Sequence, residues 1–460
     1  MNQDKKIIII GCGAAGGTAA QFARKTDRKT SITIFEKGKY PQYSRCGLPY
    51  VISGEIPKSD DLIEFSGAWF NNAHIDLLLN TTVEEIDIKN QKIVAKADNI
   101  SVEKSYDSLI IATGAKPFVP PIKNIYEGNN LVKGVFVLRS IDDAEKISSY
   151  IQKGKNAVVI GAGFIGLEMA DTLNKTEMKV TVVEALPWIL PNTFDEDMAN
   201  IVLEELSKSV NIFTDHIVTK IESKSGKIYK VFLKDNKTNE EKQLPADILI
   251  IGTGCKPDSS LAQKAGCKLG KAGHIIVNNR CETSIKNVYA VGDCTEFIDF
   301  VTKKPVCIGL GSIGVRQGIA VGTNAGGGNY SLPDGVLQSC TSEFFGIEVA
   351  SVGPSTNILK ELSPTSGKFT GYSRAEYFPG GKKISIKVFA DEKTNKIIAA
   401  QAAGDKAAKR INTFACAILS GMDVDTFKKL ETTYSPPVAL TLDAETLVCD
   451  IISMKINRRR

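Results

Sequence analysis

Two short apolar strands, each running straight into a glycine-rich turn, constrain this chain more than any other feature of its sequence. Residues 6–10 (KIIII) lead into Gly11-Cys12-Gly13-Ala14-Ala15-Gly16, residues 13–24 are small and helix-compatible, and 31–36 (SITIFE) are apolar again up to Glu36. That order predicts strand, helix and strand. It returns 150 residues later as 157–160 (AVVI), Gly161-Ala162-Gly163-Phe164-Ile165-Gly166, a helical stretch to Leu173, and 180–184 (VTVVE) closing on Glu184. One doubly wound domain does not usually contain the same unit twice at that distance, so two α/β domains are expected.

The spacing has a chemical reason. The turn must be tight, the backbone must approach a pyrophosphate, and the helix must pack close to the strand; each requirement excludes a side chain, and the helix N-terminus then faces the phosphates. The acid ending the next strand accepts hydrogen bonds from ribose hydroxyls. A single G-x-G-x-x-G is weak evidence, because glycine turns also arise from packing alone, but here every part falls in order twice. Gly11, Gly13, Gly16 and Glu36 form one candidate dinucleotide site, and Gly161, Gly163, Gly166 and Glu184 form the other. A carboxylate at Glu184 favours a free 2′-hydroxyl and repels a 2′-phosphate. The following Ala185-Leu186-Pro187-Trp188 supplies no arginine, so NADH is expected in preference to NADPH.

At 460 residues the chain is long enough for roughly three domains at about 150 residues each. The stretch 91–113 reads as strand-turn-strand ending in LIIATGAKP (109–117), and ILIIGTGCKP (248–257) echoes it; Thr113-Gly114 and Thr253-Gly254 read as crossovers leaving each dinucleotide domain. After Gly326-Gly327-Gly328 the pattern changes to strands at 384–390 and 397–403 and a helix near 406–420, which predicts a third domain over about 330–460.

The net charge of +5 is mild, and its only dense basic cluster, Arg458-Arg459-Arg460, reads as a solvated tail, so neither nucleic acid nor membrane is an expected partner. The N-terminal apolar run is too short for a signal-peptide core or a membrane span, which predicts a cytoplasmic protein. Ten cysteines occur singly, without a C-x-x-C pair or histidines at metal spacing; this argues against a metal site, an iron–sulfur cluster and a disulfide scaffold. Most are expected to be small buried hydrophobes.

With these motifs in place, the chain resembles the pyridine nucleotide–disulfide oxidoreductase family over essentially its whole length. VYAVGDCTE (288–296) is similar to that family's second FAD motif, whose aspartate, here Asp293, binds the ribityl chain, and ATGAKP (112–117) also matches. The resemblance implies an α/β protein with two Rossmann-like dinucleotide-binding domains and a C-terminal α+β dimerisation domain. The FAD-binding domain would be 1–115 with 245–328, the NAD(H)-binding domain 116–244, and the dimerisation domain 329–460, forming a homodimer whose interface completes each active site.

Within that family YSRCGLPYVISGEI (43–56) is the informative segment. Dithiol members have C-x-x-x-x-C here and a His-Glu pair near the C-terminus, whereas this chain has Cys46 alone and only His74, His216 and His274. It is therefore similar to the single-cysteine branch: coenzyme A-disulfide reductases, persulfide or polysulfide reductases, NADH oxidases and NADH peroxidases. Peroxidases and water-forming oxidases place a histidine where this chain has Ala14, so a proton donor for peroxide cleavage is missing. Tyr434-Ser435-Pro436-Pro437 resembles the segment by which coenzyme A-disulfide reductases present a tyrosine from the partner subunit, and Tyr377 in AEYFPGG resembles a second such tyrosine. Glu168 in IGLEMA is a nicotinamide-side candidate. Gln42 and Arg45 depart from the branch's usual residues at positions that touch its substrate pocket. Lys25, Arg45 and Arg316 are basic positions able to meet coenzyme A phosphates.

A sulfur attacks a disulfide only as thiolate, and Arg45 with a helix beginning near Gly47-Leu48-Pro49 would polarise Cys46. The expected reaction passes hydride from NADH through FAD to Cys46 and on to a low-molecular-weight disulfide or persulfide, coenzyme A disulfide foremost. Two other readings stand beside it: an NADH oxidase reducing oxygen, and an electron-transfer or redox-sensing flavoprotein acting on a protein partner.

Overall fold

The computed structural model describes residues 5–98 and 100–459. Met1–Asp4, Asn99 within the predicted 91–113 strand pair, and Arg460 of the terminal basic cluster lie outside the described residues. The chain forms two compact units. The first comprises the described residues up to Phe118 with Arg139–Ala144 and Gly254–Val336; the second comprises Val119–Leu138, Glu145–Thr253 and the described residues from Leu337 onward.

In the first unit the KIIII run is the central strand, Lys6–Ile10, of a five-stranded sheet. Across that sheet the order is Val288–Ala290, Ser108–Ile111, Lys6–Ile10, Ser31–Phe35 and Ile75–Leu78, and every pairing is parallel. Ile7 and Ile9 enter the core on one face, with Ala19, Ile34 and Val321, while Ile8 and Ile10 enter the core on the other, with Phe35, Leu109 and Ile93. Burial on both faces is why the strand is continuously apolar; each fully buried isoleucine contributes roughly 1.5–3 kcal/mol. Helices Ala14–Thr26 and Gly311–Ala325 cover one face and pack closely on each other. Their approach needs Gly318 and Gly322, where a Cβ would strike the carbonyls of Ala15 and Ala19.

The second unit repeats the design. Its parallel sheet runs Val135–Phe136, Ile248–Ile251, Asn156–Ile160, Lys179–Val183 and Asn211–Phe213, with helix Phe164–Lys175 following the second glycine turn. Each dinucleotide fold also carries a three-stranded antiparallel sheet. The C-terminal region is a five-stranded antiparallel sheet, ordered Cys340–Phe344, Ile347–Val352, Ile397–Gly404, Lys383–Ala390 and Thr365–Tyr372. Helices Ala407–Ser420 and Ala444–Arg459 pack on it. This is the predicted class: two α/β dinucleotide folds and a C-terminal α+β region. Among the described residues no helix is long and apolar enough to cross a membrane.

Helix Ala407–Ser420 is tied to the start of the last helix by a buried ionic cluster. Arg410 Nε donates to Asp443 Oδ1 at 3.1 Å and Nη2 to Oδ2 at 3.3 Å, with Glu445 Oε2 3.6 Å from Nε. Arg410 is 6% exposed, and Asp443 and Glu445 are each 8% exposed. One guanidinium cannot neutralise two buried carboxylates. Burial, and then the neighbouring Asp443, push Glu445 up to about 8. Because the folded-state value lies above the unfolded one, Glu445 contributes stability fully present below about pH 4.5 and lost as pH rises through about 8. The calorimetric midpoint is therefore expected to fall between about pH 5 and pH 8.5, and Glu445→Gln should reduce that fall. An identical fall in both proteins would exclude Glu445 as its source.

Candidate functional site

Gly11 leaves its strand at φ +105°, and a Cβ there would collide with the Ala112 carbonyl. Its N–H donates to Phe35 O at 2.8 Å, and the Cys12 N–H donates to Glu36 Oε2 at 2.7 Å. The second Glu36 oxygen accepts from the Gly38 N–H at 2.8 Å. One carboxylate thus braces the glycine turn and the loop after the next strand, with lone pairs remaining for ribose hydroxyls. The helix beyond starts at Gly13 without a side-chain cap, so its first amides face outward. In front of Gly13 a would-be Cβ would stand 3.9 Å from Arg45 Nη2.

Thr113 Oγ1 donates to Asp258 O at 2.6 Å, and Gly114 (φ +71°) opens the short strand Ala115–Pro117, which pairs with Cys255–Pro257 just after Gly254 (φ +88°). Asp293 follows Gly292, whose N–H donates to the buried Gln317 Oε1 at 2.6 Å. Its carboxylate accepts from Arg139 Nη2 at 2.9 Å. Arg45 and Arg139 both reach Gly114, at 3.8 and 3.3 Å from where its Cβ would stand. Arg139 Nε is buried without a hydrogen-bond partner. An uncapped helix start, an open glycine cradle and an orphaned guanidinium donor are what a pyrophosphate-bearing dinucleotide would satisfy.

Cys46 lies in the turn Arg45–Gly47, before the six-residue helix Leu48–Ser53 with Pro49 in its first turn. Ser44 N–H donates to Leu62 O at 2.8 Å, Gly47 packs against Leu62, and Leu48 is buried, so the segment is clamped from beneath while Cys46 is exposed. Burial raises the thiols of Cys12, Cys281, Cys294 and Cys449, which suits packing rather than chemistry. Gln42 is 5% exposed and lies against Gly17, filling the space that glycine leaves. Lys25 is exposed and stacks its ammonium 4.4 Å from the Phe22 ring, and Arg316 is exposed with Nη1 on Ser312 O.

The second unit reproduces the first fingerprint bond for bond. Gly161 (φ +96°) donates to Val183 O at 2.8 Å, the Ala162 N–H to Glu184 Oε2 at 2.6 Å, and the Leu186 N–H to Glu184 Oε1 at 2.9 Å. Gly166 packs on the Gly161 carbonyl, and nothing stands in front of Gly163. Glu168, on the helix that follows, accepts from Ser342 Oγ at 2.5 Å, and burial raises its carboxyl above the ordinary range. In the same unit the hydroxyls of Tyr377 and Tyr434 lie 3.2 Å apart, both rings exposed. Among the described residues no three His, Cys, Asp or Glu side chains converge as metal ligands.

Sequence reading missed Arg139, Gln317 and Ser342. Arg139 is 154 residues from Asp293, and Ser342 is 174 from Glu168, so no local spacing announces either pairing. Arg139 sits in VLRSIDDA, inside the stretch read as the second domain, yet packs in the first unit. Nor did sequence reading give a partner for Cys307, which is exposed and whose Sγ lies 3.3 Å from His274 Nδ1.

Residues 5–320 match the family described as Pyridine nucleotide-disulphide oxidoreductase, and residues 340–444 match the dimerisation domain of the same family. The chain is 38% identical to an NADH oxidase of Methanocaldococcus jannaschii over 99% of this chain and 100% of the relative. It is 33% identical to an NAD(P)H coenzyme A polysulfide/persulfide reductase of Pyrococcus horikoshii, over 96% and 97% respectively. The solved structure of an NAD-dependent persulfide reductase from A. fulgidus superposes with a TM-score of 0.92 at 36% identity, covering 98% of this chain and 84% of that one. The chain belongs to the pyridine nucleotide–disulphide oxidoreductase family, and is an oxidoreductase of the kind that uses FAD and NAD(P)H.

Proposed function

We propose that this protein is an NADH-dependent reductase of a low-molecular-weight disulfide or persulfide, coenzyme A disulfide foremost, with Cys46 as the redox-active sulfur. The observation that carries the reading is an exposed Cys46 on a segment clamped by buried Gly47 and Leu48 in the unit that holds the first glycine cradle. The persulfide-reductase names of relatives matched over most of their length support it. The first unit would hold FAD on Gly11, Gly13, Gly16, Glu36, Thr113, Gly114 and Asp293. The second fingerprint, with Glu184, would hold NADH, and Glu168 would face the nicotinamide.

Bound FAD and NADH would supply the two electrons that reduce sulfur; the remaining work falls to side chains. Cys46 as thiolate attacks one sulfur of the substrate, forming a mixed disulfide and releasing the other half as thiolate. Tyr434, from the partner subunit of a homodimer, gives that thiolate a proton. The hydrogen bond to the Tyr434 hydroxyl raises the Tyr377 phenol above its ordinary value, so Tyr377 stays protonated beside the proposed donor. A reducing compartment such as the cytoplasm suits an exposed redox thiol. Oxygen reduction is the second reading, favoured by the NADH oxidase named above; Ala14, where peroxide-cleaving relatives carry histidine, weighs against it.

Purified protein should be yellow, and Gly11→Val should lose the flavin, because the side chain meets the Ala112 carbonyl where backbone and pyrophosphate must approach. A colourless wild type that releases no flavin on denaturation removes the first-site assignment. NADH should outcompete NADPH, and Glu184→Ala should narrow the gap; equal kcat/KM for both nucleotides in the wild type would overturn the role of Glu184. Anaerobically, Cys46→Ser should abolish thiol release while flavin bleaching by NADH persists, and Tyr434→Phe should slow thiol release about a hundredfold. Mixed dimers carrying one change on each chain should keep one intact site. Full activity of Cys46→Ser with every disulfide tested would make oxygen or a protein partner the acceptor.

A further inference from the structure

Cys307 follows the short strand Pro305–Val306, which pairs with Phe297–Ile298, and precedes helix Gly311–Ala325. It is exposed, and its Sγ lies 3.3 Å from Nδ1 of His274. The imidazole is held in place from its own backbone. The neighbouring Ile275 is fully buried, its N–H donates to Cys294 O at 2.8 Å, and the His274 carbonyl accepts from the Gly270 N–H at 2.8 Å. Among the described residues no third ligand completes a metal set with this pair, so its chemistry is that of a thiol beside a base.

We infer that Cys307 and His274 form a second nucleophilic thiol site, separate from Cys46, that undergoes exchange with low-molecular-weight disulfides. In the exchange Cys307 Sγ attacks one sulfur of the disulfide while its proton passes to His274 Nδ1. A new Cys307–sulfur bond forms and the original sulfur–sulfur bond breaks. The departing thiolate takes the proton back from the imidazolium. Cys307 is thereby oxidised to a mixed disulfide, one equivalent of thiol is released, and the small disulfide is the oxidant.

The surroundings specify how the pair works. Burial lowers the His274 imidazole below its ordinary value against the pull of Glu296 and Asp293, so the ring is neutral and able to accept a proton near neutral pH. The surrounding protein, and then the Glu296 carboxylate, raise the Cys307 thiol. The resting state is therefore thiol beside imidazole, and activation occurs as the proton moves during attack rather than through a standing thiolate. Glu296 and Asp293 are the carboxylates whose charge acts on the imidazole, and Arg139 pairs with Asp293 at 2.9 Å.

The test uses purified holoenzyme carrying Cys46→Ser, treated with limiting dithiodipyridine, with the rate at each cysteine read by peptide mass mapping. Cys416, exposed on helix Ala407–Ser420, is the internal reference. Cys307 is expected to react faster than Cys416 and at a nearly level rate between about pH 7 and pH 8.5, because its base is already neutral there. The Cys416 rate should climb with pH across that range, since a thiol attacks only as thiolate. His274→Gln should slow Cys307 about tenfold or more and leave Cys416 unchanged. Loss of fold would raise both rates together, so a selective fall reads the imidazole, and the wild-type pH profile decides without any variant at His274. A Cys307 rate at or below that of Cys416, or one climbing with pH as Cys416 does, overturns the proposal.

Discussion

A single bond, made twice, organises the binding surfaces of this protein: the amide after the first glycine of each fingerprint donates to the carboxylate ending the next strand, Cys12 to Glu36 and Ala162 to Glu184. The bond is available only because Gly11 and Gly161 turn the chain at positive φ, a conformation in which a side chain would also strike the carbonyl opposite. Once the turn is held, the helix that follows starts without a side-chain cap and directs its amides at open space. Strand, turn, carboxylate and helix form one mechanical unit in each fold, and losing the acid would loosen the loop.

Around that unit the first site is completed from far along the chain. Asp293 is positioned by Gln317 through Gly292 and held by Arg139, and Arg45 reaches the same glycine that Arg139 covers. Two guanidinium groups at a glycine-lined opening favour an anionic ligand, and the unpartnered Nε of Arg139 is a buried donor that leaves energy unclaimed until a ligand accepts from it. Anion binding and the local stability of this region are therefore linked.

The ten cysteines show how environment sorts chemically identical groups. Burial keeps Cys12, Cys281, Cys294 and Cys449 protonated and inert; Cys46 is exposed because Gly47 and Leu48 take the buried positions beside it. Cys307 is distinguished by the nearby His274, 33 residues earlier in the chain. The setting of each sulfur is thus written in its neighbours, and the buried residues that follow Cys46 are adjacent to it in sequence.

Periodicity and glycine spacing made the two strand–helix–strand units, both fingerprints with their acids, and the C-terminal strands at 384–390 and 397–403 with the helix after them legible in the sequence, because each is a local or repeated pattern. The position of Cys46 was legible for the same reason, its helix and clamp being local. What only tertiary structure decided are side-chain pairings that no local pattern announces: Arg139 with Asp293, Ser342 with Glu168, Arg410 with Asp443 and Glu445, and His274 with Cys307. Gln42 belongs with them, since its burial depends on the space left by Gly17 on a different element. Local geometry is set by each residue's own backbone and near neighbours, whereas the charge and proton affinity of a side chain are set by whatever the fold packs against it.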